Sequence, residues 1–69
     1  MKFETRVVEL QEQPDKNRLA VMFFGRPGIY YAAAADHALV QRLKASHQDG
    51  SAIEVEVDEA SITKVDPRG

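Results

Sequence analysis

Only one stretch of this chain carries helical periodicity, and the apolar segments on either side of it have the length and alternation of strands. Leu39, Val40 and Leu43 fall within one stripe at a period of 3.6, with Gln41, Lys44, Ala45 and Gln48 on the opposite side. Ala32 to Ala35 favour helix intrinsically. Asp36 is the better N-cap, because its carboxylate can accept the unpaired amides of the first turn. Asp49-Gly50 supplies the stop, since glycine takes the left-handed conformation after a helix without a Cβ clash. A surface helix with a narrow buried seam is therefore expected from about Asp36 to Asp49.

Three strands are expected before it. Phe3 to Leu10 reads as a half-buried strand in which Phe3, Thr5 and Val7 share one face and Val8 and Leu10 the other. The apolar register shifts at Val7-Val8, and a bulge there or burial on both faces near Leu10 accounts for it. Gln13-Pro14-Asp15-Lys16-Asn17 has the composition of a hairpin loop. Leu19 to Phe24 is apolar throughout, as expected of a central strand covered on both sides. Arg26-Pro27-Gly28-Ile29 fits a type II turn with Gly28 at positive φ, and Ile29 to Ala32 returns as the third strand. After the helix, Ile53, Val55 and Val57 alternate strictly with Glu54, Glu56 and Asp58, the cleanest strand of the chain. Asp58 to Ser61 turns the chain, and Ile62 to Val65 forms a last short strand ended by Pro67 and Gly69.

The class is thus α+β, in the order β-β-β-α-β-β. Two architectures have that order: a five-stranded, mostly antiparallel sheet with the helix across one face, or a partly open barrel of the OB type. In the barrel the first and fourth strands are neighbours, making Lys2 and Arg6 the natural partners of the acidic row Glu54, Glu56 and Asp58. At 69 residues, residues 1–69 form a single small domain. A chain this short buries only about 60% of its unfolded surface, and with no cysteine it has neither a disulfide staple nor a thiolate metal site. Association with a second copy is the reinforcement left open. No apolar run approaches the roughly 20 residues that span a bilayer, and Met1-Lys2-Phe3-Glu4 lacks the order of a signal peptide, so no membrane association and a cytoplasmic location are expected.

Catalytic chemistry has little to build on. His37 and His47 lie ten residues apart on the helix, about 15 Å along its axis, and cannot share a metal or a substrate atom within one chain. Alternate residues of a strand are about 6.6 Å apart, so Glu54, Glu56 and Asp58 do not converge on a calcium ion and read as a solvated face. No catalytic residue, metal or cofactor is expected. Gly25-Arg26-Pro27-Gly28 has the letters of a GxxG nucleic-acid loop, but its flanks read as strands and Pro27 removes an amide. Of the pairs Phe23-Phe24 and Tyr30-Tyr31, one ring each should enter the core, the other lying under the helix or at a subunit contact. We expect a non-catalytic interaction or accessory domain that self-associates through its second and third strands. The alternative is a single-stranded nucleic-acid binder using Lys16, Arg18, Arg26, Tyr30 and Tyr31, which nucleic-acid partners would find on the same two strands.

Overall fold

The structure, a computed structural model, describes residues 1–67. Six strands and one helix follow in the order β1 (Lys2–Thr5), β2 (Val7–Gln13), β3 (Arg18–Phe23), β4 (Arg26–Ala33), α1 (His37–Asp49), β5 (Ile53–Asp58) and β6 (Ser61–Pro67). The β-β-β-α-β-β order is present, with six strands in place of five. The sixth arises because the first expected strand is broken at Arg6 and continues to Gln13. The bulge sits where the sequence shifts register: Val7 pairs with Phe23 and Glu9 with Met22, leaving Val8 unpaired.

All strands belong to one sheet, ordered β1-β5-β6-β4-β3-β2. Hydrogen bonding leaves it open, since no ladder joins β1 to β2. Those two edge strands are nevertheless consecutive in the chain with only Arg6 between them, so the first segment serves both edges and the sheet must curl. As the barrel alternative requires, the first segment neighbours the strand after the helix: Phe3 pairs with Val55 and Thr5 with Ile53. The weakest seam is β4 against β6, a parallel contact registered at Tyr31 and Ser61, with the Tyr31 N–H donating to the Ala60 carbonyl at 2.7 Å.

The concave side is the core. Alternation on each strand sends Val21, Phe23, Val55, Val57 and Val65 inward, and α1 closes the assembly with Leu39 and Leu43. The helix begins as expected: Asp36 accepts from the Leu39 N–H at 3.3 Å, and Gly50 ends it at φ 73°. Its third buried residue is Ser46, whose hydroxyl accepts from the Val7 N–H at 3.1 Å and donates to the Ser51 carbonyl at 2.8 Å. Arg42 adds a bond from its guanidinium to the Val65 carbonyl at 2.9 Å. Those contacts tie α1 to β2 and β6.

Two local expectations are corrected. The turn between β3 and β4 is Phe24-Gly25, one step before Arg26-Pro27-Gly28-Ile29; Phe23 pairs with Arg26, and Gly25 takes φ 73°. Gly28 does hold positive φ, 100°, but within β4, where the register slips between the pairs Val21–Tyr30 and Phe23–Arg26. Gly25 supplies a left-handed residue at the tip at no steric cost, and Pro27-Gly28 absorb the extra length of β4 as an irregularity. β3 is also not covered on both sides. Curling gives it one inner face, while Met22 on the outer face stays 41% exposed.

Truncating Leu43 to Ala should cost about 2–5 kcal/mol, measured by denaturant unfolding, because it is fully buried where the helix meets the sheet. Ser46→Ala should cost about 1–3 kcal/mol by the same measurement, since it orphans the Val7 amide and the Ser51 carbonyl at once.

Candidate interaction surface

The convex side of β2, β3 and β4 is built by the residues that alternate with the core. Cross-strand register places Gln11 beside Ala20 and Ala20 beside Tyr31 in one row, and Gln13 beside Arg18 and Arg18 beside Ala33 in the next. Glu9 pairs with Met22 in a third. Ile29, two residues from Tyr31 on the same side of β4, is 49% exposed. The centre of this face is apolar: Ala20, Met22, Ile29 and Tyr31. Its rim is Glu9, Gln11, Gln13 and Arg18.

The five residues expected to bind are not gathered in one place. Arg18 and Tyr31 do meet, with the guanidinium carbon 3.9 Å from the ring centroid and the Arg18 Nε donating to Gln13 Oε1 at 2.7 Å. Lys16 lies at the same end, exposed in the short 3-10 turn Pro14–Lys16 that joins β2 to β3. Arg26 is at the opposite end of the β3–β4 ladder. Tyr30 faces the other way. Half-buried, it packs against the core cluster, with the Phe23 and Phe3 ring centroids 5.4 and 6.1 Å away. The aromatic pairs divide as alternation requires, Phe23 and Tyr30 inward and Phe24 and Tyr31 outward, but neither outward ring lies under the helix.

Charge is segregated across the sheet. On the outer side of β1, β5 and β6 the register sets Lys2, Glu56 and Lys64 in one row and Glu4, Glu54 and Asp66 in another. Lys2 thus stands opposite Glu56 as expected, and Lys64 and Asp66 form an ion pair at 3.7 Å. Arg6 does not join them: its guanidinium lies over the Phe24 ring at 4.5 Å. Among the described residues no group of three or more His, Asp or Glu side chains is arranged to hold a metal ion. Among the described residues one carboxyl departs from its ordinary range. Asp49, beyond this face at the helix end, is held low by hydrogen bonds from the Ser51 hydroxyl and N–H.

Sequence reasoning did not name Met22 or Ile29 for this surface, and it set Arg6 against the acidic row where the structure sets it over Phe24. Parity along β3 was the available signal for Met22, because Leu19, Val21 and Phe23 share a face that Arg18, Ala20 and Met22 cannot. Arg6 and Phe24 had no local signal, being brought together by the hairpin tip folding onto the break in the first strand, where the Phe24 N–H donates to the Arg6 carbonyl at 3.0 Å.

Gly28→Val should destabilise by about 1–3 kcal/mol through backbone strain alone, since a Cβ there meets nothing within 4 Å while φ is +100°. Arg26→Ala should cost only about 0.5–1 kcal/mol, the worth of an exposed guanidinium over a ring, here Phe3 at 4.1 Å. Thermal melts of both variants check this order. Comparison of the chain with protein-family models, curated proteins and solved structures gives no significant match.

Proposed function

We propose that this chain is a non-catalytic interaction domain that presents the convex face of β2, β3 and β4 to a protein partner, with a second copy of itself as the first candidate. The observation that supports it is the apolar centre of that face: Met22 and Ile29 are 41% and 49% exposed beside Tyr31, inside a polar rim. An apolar middle with a polar margin is the anatomy of a protein contact. A chain this small also gains stability from a partner.

A nucleic-acid role has less support. Base stacking needs open ring faces and free cations along the strands. Arg18 already covers one face of Tyr31 and is bonded to Gln13, Tyr30 is turned inward, and Glu9 sits on the same surface.

Sedimentation velocity separates the possibilities. The parent protein should form a dimer that Tyr31→Glu converts to a folded monomer, as judged by circular dichroism. Tyr30→Glu should instead unfold the chain, because its ring contacts Phe3 and Phe23. A parent that stays monomeric to millimolar concentration removes self-association. An oligonucleotide that binds this face and weakens steeply with salt replaces the proposal altogether.

A further inference from the structure

Only two charged side chains stand in the paired rows of the convex face of β2, β3 and β4, and they stand at opposite ends. Arg18 lies in the row nearest the Pro14–Lys16 turn, Ala20 and Tyr31 share the middle row, and Glu9 lies beside Met22 in the row nearest the hairpin tip. From Arg18 to Met22 is four residues of β3, so within one chain the two charges sit about 14 Å apart and do not pair. Both keep capacity for a partner. The Glu9 carboxylate has no ion pair among the described residues, and Arg18 commits only its Nε, to Gln13, with its flat face on Tyr31.

Two copies that meet on this face by a two-fold axis have two orientations open to them. An axis along the strands lays Arg18 over Arg18 of the second copy and carries each Glu9 across to β4, onto the apolar part of the face, where a charge has no partner. That orientation is repulsive. An axis across the strands, along the middle row, exchanges the two ends instead, so that Arg18 comes to lie one strand spacing from Glu9 of the second copy. With stacked sheets about 10 Å apart and strands about 5 Å apart, the two α-carbons are about 11 Å from each other, within the combined reach of an arginine and a glutamate. Symmetry makes the pair twice. The same operation rests Met22 of each copy on the Arg18–Tyr31 stack of the other. Outside these rows Arg6 then meets the turn, which holds Asp15 and Lys16, one charge of each sign, and so adds no net preference.

We propose that two copies pack convex face to convex face with their strands antiparallel, about an axis that crosses β3 at Ala20, and that two Arg18–Glu9 ion pairs between copies fix this orientation. The arrangement rests on self-association of that face and adds which residues of each copy meet. Charge complementarity selects it, since unlike charges approach one another about the crossing axis and like charges about the other. The curl of the sheet agrees: two convex surfaces touch first at their middle, and the small Ala20 side chain lets the backbones approach there.

The test reverses each charge singly and then mixes the products, using the whole chain and sedimentation velocity. Arg18→Glu and Glu9→Arg should each weaken the dimer roughly tenfold, because each turns two attractive pairs into two repulsive ones. Mixed in equal amounts, they should form a heterodimer of parental affinity, since both pairs again join opposite charges. The double variant Arg18→Glu, Glu9→Arg should dimerise like the parent for the same reason. Lys64→Glu, on the other side of the sheet, should change nothing, which separates pairing from net charge. Arg18→Glu also loses the bond to Gln13, so circular dichroism is read on every variant, and heterodimer formation is the further check because mixing does not restore a lost fold. A dimer that both reversals leave unchanged, or folded single variants that fail to associate when mixed, overturns the arrangement and leaves the convex-face interface standing. Preferential pairing of Arg18→Glu with the parent chain assigns the axis along the strands and overturns it too. A parent that stays monomeric to millimolar concentration removes the interface and the arrangement together.

Discussion

One break in one strand organises this molecule. Arg6 interrupts the first segment so that its two halves pair in different directions, Lys2–Thr5 with β5 and Val7–Gln13 with β3. A six-stranded sheet whose edges are a single residue apart in the chain cannot lie flat. It curls, and the curl decides which side chains are inside. The junction is held by three bonds of different kinds: the Thr5 hydroxyl to the Phe24 carbonyl, the Phe24 N–H to the Arg6 carbonyl, and the Val7 N–H to the Ser46 hydroxyl. Backbone groups freed by the break are thereby satisfied, which a half-buried kink requires.

Local signals were legible because local chemistry fixes them. Asp36 caps the helix and Gly50 ends it, Asn17 takes the left-handed position after Pro14–Lys16, and the alternation of Ile53 to Asp58 is a half-buried strand. The Val7–Val8 shift of register was readable for the same reason. What could not be read is what the curl created. Nothing in the neighbourhood of Ser46 shows that its hydroxyl meets an amide of the first segment. Pro27-Gly28 has better turn chemistry than Phe24-Gly25, yet pairing of Phe23 with Arg26 moved the turn to the second pair. Of the candidate binding residues, alternation could show that Tyr30 and Tyr31 part company, but only the strand order shows which of them faces the core.

Polarity is sorted by the same geometry. Three strands turn acidic and basic rows outward on β1, β5 and β6, while β2, β3 and β4 turn out a mostly neutral surface with an apolar centre. Away from the register shifts at Val8, Pro27-Gly28 and Glu56-Val57, both sides alternate inward and outward residues. The inner residues of both halves are predominantly apolar. Met22 and Ile29 stand 41% and 49% exposed on the outward side, where the other half of the sheet carries charge.

The split at Arg6 also sets a timetable. β2, β3 and β4 form a meander whose pairings are close in sequence, while β1 must wait for β5, as Phe3 finds Val55 from the far side of the helix. Closing a long loop carries the larger entropic cost, so contacts within the meander are expected to precede those of the amino-terminal half-strand. A chain caught between the two stages has its convex apolar surface already formed and its concave one not yet roofed. In such a state both sides of the meander would expose apolar surface, and the bond from the Thr5 hydroxyl to the Phe24 carbonyl is one of those that join the hairpin to the arriving strand.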